Sequence, residues 1–257
     1  MTNFVEVTEL AGSGISAEQL ARMAHRYGWA AAFCRQRDVV EVACGSGPGL
    51  GLLAGGSRSL EAGDYSEDIL KIAKAHYGNR IPLRQLDAQA MPYADASKDV
   101  VILFEAIYYL PDAERFVREC RRVLRPGGQV LIASANKDLY DFNPSPFSQR
   151  YYGANELVAL FAAAGFSAEV FGFMPVGAVS MRQRILRPIK KLAVALGVMP
   201  KSLKGKRFLK RFVFGKLVTM PAELPAVSVP VEPPHPLATD FPDRTHKVLY
   251  CRATLPA

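Results

Sequence analysis

Apolar residues recur along this chain in two alternating rhythms. Leu20, Met23, Ala24, Tyr27 and Ala31 fall at helical intervals and predict a helix over residues 15–34. Ser16 and Gln19 stand at capping-box spacing at its start. The short run Val39-Val40-Glu41-Val42-Ala43 reads as a strand, and residues 58–64 as a second. Ser66 is placed to cap a helix with Glu67 and Asp68 in its first turn, where carboxylates suit the helix dipole. Ile69, Leu70, Ala73 and Tyr77 mark its buried face.

The alternation continues downstream. Residues 83–86 form a short predicted strand, and Val100-Val101-Ile102-Leu103-Phe104 is a continuous apolar run suited to burial on both faces. Asp112 can cap a helix carrying Phe116, Val117, Cys120 and Leu124, which Arg125-Pro126-Gly127-Gly128 breaks. Residues 129–133, 168–173 and 247–253 read as strands, and 154–164 as a helix stopped by Gly165. Strands alternating with helices at this spacing predict an α/β, Rossmann-like fold: a mainly parallel seven-stranded sheet with helices on both faces.

Composition narrows this little: 49% hydrophobic and 22% charged in 257 residues is ordinary for a globular chain. No apolar run reaches the roughly 18 residues that would cross a bilayer. The first residues lack a secretory pattern, and Cys34, Cys44, Cys120 and Cys251 are scattered without metal-ligand spacing. A cytoplasmic, metal-free protein is the expectation. The charge is more informative. The net +8 is concentrated between Val170 and Ala222, which hold twelve Lys and Arg from Arg182 to Lys216 and no Asp or Glu. The remainder is mildly acidic.

Candidate chemistry begins at Glu41-Val42-Ala43-Cys44-Gly45-Ser46-Gly47-Pro48-Gly49. Glycines between a buried strand and a helix allow a sharp turn and close approach of a ligand to the main chain. Asp64 follows at the end of the next predicted strand, about 20 residues on, where a carboxylate can accept ribose hydroxyls. A dinucleotide fingerprint fails on register, because Leu50 and Leu52 stand where its third glycine would fall.

With those residues in place, the chain resembles the class I S-adenosylmethionine-dependent methyltransferases, in particular the small-molecule branch related to quinone-biosynthesis methyltransferases. Glu41 to Gly49 is similar to the family's first motif, with Ala43 where its first glycine stands. Gly63-Asp64-Tyr65-Ser66, Asp87-Ala88 with Met91-Pro92-Tyr93, Ser97-Lys98-Asp99-Val100-Val101 and Val123-Leu124-Arg125-Pro126-Gly127-Gly128 follow in family order. The resemblance implies that Glu41, Ala43, Gly45, Ser46, Gly47, Gly49, Asp64, Tyr65, Asp87, Ala88, Phe104 and Glu105 hold S-adenosylmethionine, with Asp64 on the ribose, Tyr65 beside the adenine and Asp87 on its amino group.

On the acceptor side, Tyr108 and Tyr109 follow the fourth predicted strand, while Asp138 and Tyr151 follow the fifth; all four are candidates for the acceptor pocket. His25 and His246 could serve as a base or simply pack. Phe104-Glu105-Ala106-Ile107 is unlike the base-holding motif of amino-group DNA methyltransferases, so nucleic acid is not expected. Residues 1–37 read as an N-terminal helical cap, 38–173 as the cofactor-binding core, 174–246 as a basic helical and Pro-rich insertion, and 247–253 as the last strand, all within one domain. Ile185, Leu186, Ile189, Leu192, Ala193 and Leu196, then Phe208, Leu209, Phe212 and Val213, suggest two basic amphipathic segments. They could form a lid, steer an anionic or carrier-linked acceptor, or dock on an anionic membrane through 182–216. The expected activity is methyl transfer to an O, N or C atom of a small molecule. The rivals are a non-catalytic S-adenosylmethionine-binding module and a nicotinamide oxidoreductase.

Overall fold

The computed structural model describes residues 8–178, 217–225 and 232–257. The two amphipathic stripes expected within the basic insertion lie outside them. A short strand β1 (Gly14–Ile15) leads into α1 (Ala17–Cys34). The predicted capping box closes: Ser16 Oγ accepts from the Gln19 amide at 3.1 Å, and Gln19 Oε1 from the Ser16 amide at 3.0 Å. Then follow β2 (Asp38–Val42), α2 (Leu50–Ala54), β3 (Ser59–Asp64), α3 (Glu67–Tyr77), β4 (Leu83–Gln85), β5 (Lys98–Phe104), α4 (Ala113–Val123), β6 (Leu124–Ala135), α5 (Ala154–Ala162) and β7 (Ser167–Pro175). Two short strands, β8 (Val218–Thr219) and β9 (His235–Pro236), precede the final β10 (His246–Thr254).

The main sheet runs β4-β3-β2-β5-β6-β10-β7-β9. β4, β3, β2, β5 and β6 pair in parallel, whereas β10 is antiparallel to both β6 and β7. All seven predicted strands are present, and β9 adds an eighth at the edge through Phe171↔Pro236 and Gly172↔His235. β1 and β8 form a separate antiparallel ribbon. Two-residue strands show no readable alternation, so neither addition has a sequence signature.

Alternate residues of the central strands enter different cores. Val39, Ile102 and Leu131 face α1 and α2, with Tyr27, Trp29 and Tyr250; Val40, Val101 and Leu103 face α4 and α5, with Phe116, Leu157 and Phe161. Each such buried aliphatic contributes about 1.5–3 kcal/mol. Strand order reverses between β2 and β5, which opens a crevice at the carboxyl ends of the parallel strands.

Local signals were mostly obeyed. Asp112 caps α4 by accepting from the Arg115 amide at 2.7 Å. Ser66 holds the N-cap of α3, but its side chain makes no capping bond; Asp64 Oδ1 accepts from the Ser66 amide instead, at 2.9 Å. β6 also starts earlier than expected, at Leu124: Lys98 pairs with Leu124, and the ladder resumes at Val100↔Gln129 after a register shift in which Gly127 is left-handed (φ +75°). At the opposite end of the sheet, Arg58 and Arg125 bridge Asp38 and Asp99, tying the starts of β2 and β5 together.

Candidate active site

The Gly-rich turn lies between β2 and α2, at the mouth of the crevice. Gly45 and Gly47 are left-handed (φ +61° and +78°), and so is Ala43 (φ +62°), where a side chain costs about 1–2 kcal/mol. Two phenols bracket the turn. A Cβ on Gly49 would collide with the Tyr27 ring. A Cβ on Gly47 would press on Tyr77 and Leu50 at 2.9 Å, and Tyr77 Oη donates to the Gly47 carbonyl at 2.6 Å. Glycine is required at both places by close packing, not by the ligand alone.

Carboxylates line the turn as expected, but with unforeseen partners. Glu41 is 1% exposed; its Oε1 accepts from Tyr27 Oη at 2.7 Å, and burial pushes its carboxyl up to about 8. Asp64 braces the turn itself: Oδ2 accepts from the Gly45 amide at 2.9 Å, and Oδ1 from Ser66. Burial raises its pKa, with both amides opposing. Each oxygen keeps a second lone pair, so a ribose hydroxyl can be added to this brace. Asp87 Oδ1 accepts from the Gln89 amide at 2.8 Å in the loop after β4, beside buried Ala88. Tyr65 is exposed at the end of β3.

Arg26 was missed by sequence reasoning. It lies on α1 between buried His25 and Tyr27, and nothing in its position separates it from a solvated helix arginine. Its guanidinium sits 3.5 Å from Glu105 Oε1, and 5.6 and 5.9 Å from the ring centroids of Tyr27 and Phe104. Arg26 Nε, Glu41 Oε2 and Ser46 Oγ are buried around the turn and have no hydrogen-bond partner among the described residues. Such orphans are expensive unless something completes them. A ligand with a carboxylate, an ammonium and hydroxyls matches this set; a phosphate would meet Glu41, Asp64 and Glu105.

On the acceptor side, Glu105 takes a left-handed conformation (φ +51°) after β5 and its amide donates to the Ala133 carbonyl. Its other oxygen, Oε2, accepts from Tyr108 Oη at 3.2 Å. The Tyr108 ring stacks on Tyr151 with centroids 4.2 Å apart and tilts against Tyr109 at 4.6 Å. Ser145 joins them, its amide donating to Tyr151 Oη at 3.0 Å and its hydroxyl lying 2.5 Å from Tyr109 Oη. The structure thus gathers three of the four acceptor candidates. Asp138 stands against Gly153 at the start of α5, two residues after Tyr151. Burial pushes Tyr108 well above its usual pKa and Tyr151 up to about 12, so these phenols are hydrogen-bond donors and not bases near neutrality.

The histidines pack. His25 stacks on Phe173 with centroids 3.5 Å apart, and its ring nitrogens meet Tyr250 Oη and the Glu232 carbonyl. His246 Nδ1 lies 3.2 Å from Asp243 Oδ2, and Nε2 3.2 Å from His235 Nδ1. Among the described residues no three His, Cys, Asp or Glu side chains are grouped to hold a metal, and no helix is long and apolar enough to cross a membrane.

The chain is similar to known methyltransferases. Residues 40–132 match the family model described as "Methyltransferase domain". A probable S-adenosylmethionine-dependent methyltransferase of Mycolicibacterium smegmatis is 39% identical over 58% of this chain and 56% of its own. The chain therefore spans little more than half the length of that relative. A ubiquinone biosynthesis O-methyltransferase of Bordetella avium is 29% identical over 59% of this chain and 63% of its own. A putative methyltransferase of Bacillus halodurans shares the fold, with a TM-score of 0.57 and 21% identity over 94% of this chain and all of that one.

Proposed function

The chain carries a class I S-adenosylmethionine-dependent methyltransferase domain related to the quinone methyltransferases, and from that premise we propose that it methylates an oxygen of a small-molecule acceptor. The observation that carries donor binding is the set of three buried, unpartnered polar atoms around the turn. Arg26 would hold the donor's carboxylate, Glu41 and Glu105 would face its ammonium, and Asp64 and Asp87 would hold the ribose and adenine. When bound, S-adenosylmethionine supplies an electrophilic methyl group on a sulfonium.

This chain's own residues then align and desolvate. The Tyr108–Tyr151 stack with Tyr109 would wall the acceptor, and their neutral hydroxyls would orient its oxygen for in-line attack. O-methylation is favoured over N- or C-methylation by relatives such as the Bordetella O-methyltransferase. Chain segments on either side of the basic insertion leave β7 and enter β10 at the ligand end of the sheet, which supports contact of 182–216 with an anionic or carrier-linked acceptor, or with a membrane holding a lipid-like one. Four buried, unpaired thiols fit a reducing compartment, and we assign the protein to the cytoplasm.

The test is a thermal-shift series with S-adenosylmethionine, S-adenosylhomocysteine and NADH, followed by mass spectrometry of hydroxylated, amino and activated-carbon acceptors. Stabilisation by the first two ligands and a gain of one methyl on a hydroxylated acceptor is expected. Donor binding with no product from any acceptor would favour a non-catalytic module.

A further inference from the structure

Residues 217–225 follow the basic stretch 182–216 in sequence, yet they are seated on the donor turn. β8 pairs with β1 through Gly14↔Thr219 and Ile15↔Val218. The pairing is extended by Gly12 N–H to the Met220 carbonyl at 2.9 Å and Met220 N–H to the Ser13 carbonyl at 2.8 Å. Met220 and Leu224 are buried in the same core as Tyr27 and Leu50. The Leu224 amide then donates to the carbonyl of Pro48, inside the Gly-rich turn, at 2.7 Å.

Glu223 fastens the segment from the other side. Its carboxylate lies 2.7 Å from both His76 Nε2 and Arg80 Nη2 on and just after α3. The same carboxylate stands over Gly51 in α2, where a Cβ would meet its Oε1 and push this side-chain end aside. Gly51 has no positive φ, so the seat of Glu223 is what a side chain at this position would disturb.

We propose that residues 217–225 form a strap belonging to the donor site, and that Glu223 is a positioning residue whose seating over Gly51 sets donor affinity. The proposal rests on the donor reading above and extends it to a segment distant in sequence. The physical basis is preorganisation. The strap caps the Pro48 carbonyl, covers the apolar underside of the turn and fixes α2, so less ordering remains to be done when a ligand meets residues 45–49.

The experiment combines calorimetry and hydrogen exchange on the full chain, with S-adenosylhomocysteine as probe. Gly51→Ala should weaken binding about tenfold by displacing the Glu223 carboxylate from its seat, although alanine is the better helix former. Adding Glu223→Ala in that background should restore most of the affinity, which a general loss of stability would not do. Glu223→Gln alone, which keeps the shape and weakens partly exposed ion pairs, should weaken binding about two- to fivefold. The probe should also slow exchange of the Met220 and Leu224 amides together with those of the turn. A Gly51→Ala protein that binds like wild type, or protection of the turn without the strap, would overturn the proposal. Absence of protection at both places would overturn the donor reading itself, and the strap with it.

Discussion

Tyr27 donates a 2.7 Å hydrogen bond to Glu41, joining the first long helix to the strand that launches the donor turn. Among the described residues only one carboxylate oxygen is used, and the other is buried without a partner. A carboxyl held near pKa 8 by burial keeps its proton at neutral pH, where an unfolded glutamate has lost it. Because the folded state binds the extra proton, this group's contribution to stability is complete below about pH 4.5 and declines as pH rises through about 8.

A bound cation reverses that preference. Binding of S-adenosylmethionine at pH 7 should therefore release up to about one proton, read as a dependence of the calorimetric heat on buffer ionisation enthalpy. Glu41→Gln should abolish the dependence. Equal heats in all buffers for the wild type would contradict this role.

Arg26 should act as a fork and not merely as a positive charge. Arg26→Gln is expected to weaken donor binding about ten- to a hundredfold, the size of a charge-assisted hydrogen bond, and Arg26→Lys should not restore it. A dissociation constant within twofold of wild type in either variant would remove Arg26 from the donor site.

Ala43 carries left-handed strain that glycine would relieve. Ala43→Gly is expected to stabilise the protein by about 1 kcal/mol, raising Tm by about 2–4 °C. A fall in Tm would show that the methyl group packs to greater benefit than the strain costs.

The ion network at the far end of the sheet sets a limit on acid stability. The Arg58 hydrogen bond holds Asp38 well below the usual carboxylate range. Burial pushes Asp99 up, but the Asp38 amide and Arg125 more than reverse this. Depressed carboxylates stabilise the fold above their unfolded pKa values and lose that contribution as pH falls through the folded ones. Arg125→Gln should move acid unfolding, followed by circular dichroism, to higher pH at a loss of about 1 kcal/mol or less. An unchanged midpoint would mean that Arg58 alone suffices.

What the sequence could reveal follows from the range of each interaction. β5 was legible because a strand buried on both faces must be apolar throughout, and the capping box because its partners are three residues apart. The Gly-rich turn announced itself through backbone freedom. Tyr27 and Tyr77 were readable only as buried helix positions; their work at Gly49 and Gly47 depends on packing of α1 and α3 with α2 in one core. Arg26 looked like any helix arginine, and Asp64 gave no hint that it braces Gly45. The β1–β8 ribbon joins segments from opposite ends of the chain, a pairing that no local pattern encodes.

The most direct test is a crystal structure of the protein soaked with S-adenosylhomocysteine. The account predicts density along residues 43–49, with the amino-acid end between Arg26, Glu41 and Glu105 and the ribose at Asp64. Clear density for the ligand elsewhere, with Arg26 Nε and Glu41 Oε2 left as they are, would contradict it.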